Sequence, residues 1–228
     1  MTVLVVTGTS TDVGKTVATA AIAATASALG ASVAVVKPAQ TGLGYGEAGD
    51  LADIERLTGI TRSVETARYP DPLAPEVAAR LAGMPALELG AVVDDIVSLT
   101  EDVVLVEGAG GLLVRLGAEG FTLLDVAAKI GAPVVVVCGV ELGTLNHTAL
   151  TVGALDRAGV FCAGLIVGAW PSQPDLAART NLVELPDVAG VPILGRIPAG
   201  TGSVDREQFL ADAPAWFDSE AVADILNR

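Results

Sequence analysis

The stretch Gly8-Thr9-Ser10-Thr11-Asp12-Val13-Gly14-Lys15-Thr16 stands between a short apolar run and an Ala-rich segment. Glycines let a backbone wrap a compact anion, and amides at a helix start point toward it. A lysine there balances the outer phosphates, and the next hydroxyl offers an oxygen to Mg2+. The usual pattern has four residues between the glycines, and this one has five. Gly-Lys-Thr opening a helix directly after a buried strand is the more specific part, and it reads as a nucleoside triphosphate site. The alternative is a tight strand-to-helix turn with Lys15 merely solvated. That would require strand, glycines, Lys-Thr and helix to coincide for no chemical reason.

Three more residues carry charge where an apolar strand would not. Lys37 directly follows one apolar run, and Glu107 closes Val103-Val104-Leu105-Val106, where a carboxylate without a partner would be costly. Asp50 opens a helix after a glycine-rich segment and reads either as a helix cap or as an oxygen ligand. Thr16, Asp50 and Glu107 together make an oxygen shell of the kind Mg2+ accepts, a few carboxylates completed by phosphate oxygens and water.

The elements that position these groups follow from hydrophobic periodicity and turn residues. Strands are predicted over 3–6, 32–36 (ending at Lys37-Pro38), 103–106, 133–138, 162–167 and 191–194. Helices are predicted over 16–29, stopped by Gly30, and over 50–57, 75–81, 87–99, 123–130, 146–158 and 219–226. Strands alternating with helices imply right-handed crossovers and a doubly wound, mostly parallel sheet of P-loop NTPase type, an α/β fold with helices on both faces. In such sheets ligands bind beyond the carboxyl ends of the strands, and polar or glycine-rich residues do gather after the first four. One α/β domain is expected over 1–228, since no linker-like or repeated segment divides the chain.

Composition narrows the partners. The formal net charge is −14, which repels phosphate backbones, so no nucleic acid is expected. With only 13 Lys and Arg, each lysine inside an apolar loop becomes informative. Cys138 and Cys162 sit in apolar stretches and read as reduced core thiols. No signal peptide and no apolar run of roughly 18 residues is evident, so a cytoplasmic protein without a membrane span is expected.

The ordered motifs resemble dethiobiotin synthetases. They comprise Gly-Thr-x-Thr-x-Val-Gly-Lys-Thr; Lys37-Pro38 with Thr41-Gly42; Val106-Glu107-Gly108-Ala109-Gly110-Gly111; Leu142-Gly143-Thr144-Leu145-Asn146-His147; Ala163-Gly164; and Leu194-Gly195-Arg196-Ile197-Pro198. The resemblance spans about 7 to 200, and it is the ordered set that is specific.

That resemblance implies ATP- and Mg2+-dependent joining of CO2 to 7,8-diaminopelargonic acid with closure of a cyclic urea. The intermediates would be a carbamate and a carbamic–phosphoric anhydride. It casts Lys15, Lys37 and Thr11 as catalytic, and Thr16, Asp50 and Glu107 as Mg2+ ligands. The nucleotide would lie against Asp12, Val13, Gly14, Lys15, Thr16 and Val17, beside Asp50, Glu107, Gly108, Ala109 and Gly110. Gly168, Ala169, Pro198, Ala199 and Gly200 would complete its site. Thr11, Lys37 and Thr41 would hold the diamine or carbamate. Gly143, Thr144, Leu145 and Asn146 would receive the substrate carboxylate across a homodimer interface. His147 is assigned a structural or loop-ordering role.

One departure stands out. Where many members carry Asn-Asp to read adenine, this chain has Gly168-Ala169, which implies relaxed base selectivity, with triphosphates other than ATP also serving. The rival readings are a partitioning-type switch ATPase and a small-molecule kinase. Against the switch stand Thr9 and Ser10 where a second lysine would be needed, the acidic charge, and a segment 218–228 that is not a basic amphipathic helix. An amidating relative with a glutaminase domain would need a longer chain.

Overall fold

The computed structural model describes residues 1–226, so the last two residues of the segment 218–228 lie outside it. The chain runs β1 (Thr2–Gly8), α1 (Lys15–Ala28), β2 (Val33–Thr41), α2 (Asp50–Thr58), β3 (Ser63–Tyr69), α3 (Pro75–Ala82), α4 (Leu89–Val97) and β4 (Val103–Gly111). It continues through α5 (Leu123–Ile130), β5 (Val134–Cys138), α6 (Thr144–Arg157), β6 (Cys162–Trp170), α7 (Leu176–Ala189), β7 (Ile193–Pro198), α8 (Arg206–Asp212) and α9 (Ser219–Leu226). The sheet has seven strands in the order β3-β2-β4-β1-β5-β6-β7. Every adjacent pair is parallel rather than most of them.

Parallel strands covered on both faces must be apolar throughout, and β5, Val134-Val135-Val136-Val137-Cys138, is buried at every position. One core lies between the sheet and α3 to α7, where Ile96, Leu123, Val126 and Leu155 are fully enclosed. A second core lies beneath α1, α2, α8 and α9. Helix α1 is enclosed on all sides, between the sheet and helices α2 and α8, and Ala18, Ala20, Ala21, Ala23, Ala24 and Ala26 are all buried. Such small side chains let helix and strands approach closely, which seats the helix start against the end of β1.

Several expected boundaries move. β2 does not end at Lys37-Pro38 but runs to Thr41, which places Lys37 inside the strand. Its ladder to β4 ends at Val36↔Val106, while pairing with β3 resumes at Ala39↔Ala67. Pro38, which has no N–H to donate, therefore falls where it breaks no bond. The last strand begins at Ile193, not 191, and continues to Pro198. Helix α6 starts at Thr144, two residues before the predicted 146.

Hydrophobic periodicity marks no strand at 63–69 and no helix at 176–189, yet both form. β3 pairs only with β2 and lies at the sheet edge, so Ser63-Val64-Glu65-Thr66-Ala67-Arg68-Tyr69 lacks the continuous apolar run used to find strands. In α7, Pro186 stands inside the helix, but the Asp175 carboxylate accepts from Ala178 N at 2.7 Å and starts it firmly. Helix α8 was also missed; there Asp205 caps by accepting from Gln208 N at 2.9 Å.

Candidate active site

The carboxyl ends of β1, β2 and β4 open onto a cavity of about 380 Å³. Thr11, Asp12, Gly14, Lys15, Thr16 and Val17 line it from the loop after β1 and the first turn of α1. Lys37, Ala39, Gln40 and Thr41 line it from β2, Asp50 from α2, and Ala109 and Gly110 from β4. A larger hollow of about 630 Å³, lined by Ala128, Ile130, Pro133, Gly159 and Val160 among others, includes no charged side chain in its walls. Convergent polar groups, not size, single out the smaller cavity.

The loop is shaped by two left-handed residues, Asp12 at φ 58° and Gly14 at φ 92°. At Gly14 a glycine is required twice over, because a Cβ there would also lie 2.6 Å from the carbonyl oxygen of Gly168. The Lys15 ammonium folds back over the loop and donates to Ser10 O at 2.9 Å. Burial and then the nearby charge of Lys37 lower its pKa.

Lys37 is the hub. Its ammonium donates to Glu107 Oε1 at 2.9 Å and to Gly108 O at 3.1 Å, and it pairs with the Asp50 carboxylate, so all three N–H bonds are used. Burial opposes its charge, but Glu107 and Asp50 outweigh burial and raise its pKa. Burial alone would raise the Asp50 carboxyl as well, and the Lys37 charge holds it below the ordinary range. Thr16 Oγ1 donates to Glu107 Oε1 at 3.0 Å. The other oxygen, Glu107 Oε2, is buried and has no hydrogen-bond partner among the described residues.

Asp50 is not a helix cap. Gly49 holds that position without a side-chain bond, and Asp50 is the first residue of α2 with its carboxylate turned to Lys37. Its backbone N–H donates to Gln40 Oε1 at 3.0 Å, so Gln40 ties the start of α2 to β2. Arg68 reinforces the approach to Asp50. It grips Glu65 with two bonds of 2.7 and 2.8 Å and donates to Gly44 O and Glu47 O in the segment that leads to the helix. Neither Gln40 nor Arg68 was assigned a role in the sequence reading. The one available signal for Gln40 was a polar residue continuing a strand otherwise buried.

The remaining candidates fall into two groups. Gly168 touches the phosphate loop so closely that a Cβ would lie 2.0 Å from Val13 O and 2.7 Å from Val137 Cγ1. Just beyond it, Trp170 pairs with Pro198 in register, Ala199 N donates to Trp170 O at 2.8 Å, and Arg196 stacks 4.9 Å from the Trp170 ring centre. The segments around Gly168-Ala169 and Pro198-Ala199-Gly200 are thus zipped together beside the loop. Gly143, Thr144, Leu145 and Asn146, by contrast, do not line the cavity of this chain and form the start of α6. His147 is exposed on that helix's first turn. Cys138 and Cys162 are free thiols, and burial pushes their pKa up to about 12 and about 11.

A family model described as "AAA domain" matches residues 2–206. Among solved structures, the MinC:MinD cell division protein complex of Aquifex aeolicus matches with a TM-score of 0.57 at 17% identity, covering 100% of this chain and 95% of that one. A ParA family ATPase from Chlorobium tepidum also gives 0.57, at 16% identity, covering 100% and 98%. Fold and loop together define a P-loop α/β nucleotide-binding protein.

Closer relatives narrow that class. The ATP-dependent dethiobiotin synthetase BioD of Rhodococcus jostii is 57% identical with all of both chains covered. The protein of the same name from Streptomyces coelicolor is 54% identical over 95% of this chain and 92% of its own. The chain belongs to the dethiobiotin synthetase family.

Proposed function

We propose that this protein converts 7,8-diaminopelargonic acid, CO2 and ATP to dethiobiotin, ADP and phosphate. The observation that supports this most directly is the buried Lys37, held between Glu107 and Asp50 beside the phosphate loop.

In this mechanism one substrate amine adds to CO2 and loses a proton, giving a carbamate. A carbamate oxygen attacks the γ-phosphorus as the bond to ADP breaks, forming a carbamic–phosphoric anhydride. The second amine then attacks the carbonyl carbon, inorganic phosphate leaves with the C–O electron pair, and loss of a proton completes the cyclic urea. Phosphoryl transfer asks the protein mainly for alignment and charge neutralisation. Lys37, immobilised by three acceptors, offers a fixed positive field to carbamate and phosphoryl oxygens. Lys15 moves from Ser10 O to the outer phosphates as these fill the loop. Lys15, its pKa lowered by burial and then by the charge of Lys37, is relieved by an arriving polyanion. Thr11 and Thr41 both line the cavity and would hydrogen-bond the diamine or carbamate.

The donor set suits Mg2+. Thr16 Oγ1 and the carboxylates of Asp50 and Glu107 are hard oxygens, and Glu107 Oε2 is buried without another partner. No cluster of three or more Asp, Glu, His or Cys side chains able to hold a metal exists among the described residues, so retention of the ion depends on nucleotide phosphates. The ion would supply charge neutralisation at the β- and γ-phosphates.

Gly168 supports relaxed base selectivity, since it has no side-chain amide with which to read adenine. Side-by-side binding of ATP, CTP and GTP tests this, and a strong ATP-only preference refutes it. A homodimer is favoured by Leu113, Leu142 and Leu150, which are 58%, 84% and 59% exposed. Leu113 and Leu150 flank a depression shared with Thr9 and Thr151. Residues 143–146 of one subunit would then receive the carboxylate of a substrate bound to the other. The chain works as one α/β domain. Among the described residues no helix is long and apolar enough to cross a membrane. Cytoplasmic residence agrees with this and with the two free thiols.

The deciding experiment mixes purified protein with the diamine, bicarbonate and Mg-ATP. Phosphate release that requires the diamine supports the proposal. Equal turnover without it points to a switch ATPase.

A further inference from the structure

The loop from β5 to α6 is held by a residue far away in sequence. Asn181 lies on α7 with Ala178 and Leu185, the three buried residues of that helix. A polar side chain on such a face is costly unless bonded. Both amide protons of Asn181 are spent on the loop, on Val140 O at 2.8 Å and on Glu141 O at 3.1 Å. From the other side Thr144, 1% exposed, donates its hydroxyl to Gly139 O at 2.8 Å, and its N–H reaches Glu141 O at 3.1 Å. The carbonyls of residues 139–141 are therefore pinned from two helices, immediately before Gly143 turns the chain into α6.

We propose that Asn181 is a positioning residue for substrate binding: by clamping Val140 and Glu141 it sets the place and orientation at which residues 143–146 receive an alkyl carboxylate. This rests on the reading of those residues as the carboxylate site. Asn181 does not line the cavity beside the phosphate loop. Its effect passes through the loop, so it belongs to recognition of the tail and not to phosphoryl transfer at Lys37.

Asn181→Asp keeps the shape but turns two donors into acceptors facing carbonyl oxygens. Asn181→Gln keeps the amide, and Asn181→Ser keeps one donor should the carboxylate variant fail to fold. Steady-state kinetics would use the natural diamine and the same vicinal diamine with a methyl group replacing its carboxylate. For Asn181→Asp or Asn181→Ser, KM for the natural diamine should rise about tenfold or more at unchanged kcat and unchanged ATP affinity. KM for the methyl analogue should stay constant, and Asn181→Gln should recover part of the loss. Equal changes for both diamines, or none for either, overturn the inference. If the unaltered protein itself binds both diamines equally well, the carboxylate-site reading fails first and takes this inference with it.

Discussion

The ammonium of Lys37 and the carboxylate of Glu107 meet at 2.9 Å with side-chain exposures of 3% and 0%. They are brought together by the register of two neighbouring strands, the ladder between β2 and β4 ending at Val36 opposite Val106, one residue before both charges. Enclosing two ions costs solvation that their attraction need not recover, so such a pair is weak evidence for stability and stronger evidence for a task.

Removing one partner should separate these roles. Lys37→Met strands a buried carboxylate, and the expected cost is about 3–5 kcal/mol of stability, with activity falling about 10²–10³-fold. Adding Glu107→Gln removes the stranded charge and should restore much of the melting temperature but none of the turnover. Thermal melts and phosphate release on the single and double variants check both parts. Recovery of activity in the double variant would contradict the charge-neutralising role.

Gly168 and the phosphate loop share one contact surface. A methyl group at 168 would lie 2.0 Å from Val13 O, so the loop must shift. Gly168→Ala should weaken ATP, CTP and GTP together, by about tenfold, since all three share the triphosphate. Calorimetric titration of each nucleotide tests this. Selective loss of one base would contradict an effect passed through the loop that holds the shared triphosphate.

Among the described residues, Thr16 offers the only hydroxyl bonded to Glu107 Oε1. With Thr16→Val, the Mg2+ concentration giving half-maximal velocity should rise about tenfold or more, while diamine KM changes little. A Mg2+ titration at saturating ATP reads the shift directly, and an unchanged curve would remove Thr16 from the metal shell.

The thiols should be inert in the folded protein. Burial raises Cys138 to about 12 and Cys162 to about 11, from an ordinary value near 9. Well below pH 9 both thiols are protonated whether folded or not, and neither makes stability depend on pH. Above pH 9 the unfolded chain releases protons that the folded one retains, so their contribution to stability declines from about pH 9 to about 12. Iodoacetamide followed by mass spectrometry at pH 8 should label Cys138 only after denaturation, with Cys162 slower than a free thiol.

What could be read along the chain was local. Gly14-Lys15-Thr16 after an apolar run, Glu107 closing another, and the alternation of strands and helices identify the sheet class and the candidate phosphate site, because each depends on neighbours a few residues away. Edge strand β3 and helix α7 were not legible in the same way. β3 pairs only with β2 at the sheet edge, and Ser63, Glu65, Thr66 and Arg68 interrupt any apolar run there, while the interior Pro186 hides the helical pattern of α7.

The sequence by itself determined the chemistry available: a glycine-turned phosphate loop, two lysines, two carboxylates and threonine hydroxyls on a parallel α/β scaffold. Only the tertiary structure decided which of them meet. Lys37 and Glu107 lie 70 residues apart, Asn181 and Val140 lie 41 apart, and Asp50 turns its carboxylate to Lys37 rather than capping its helix. Such contacts are set by strand register and helix docking, which depend on the packing of the whole sheet and are encoded in no local pattern.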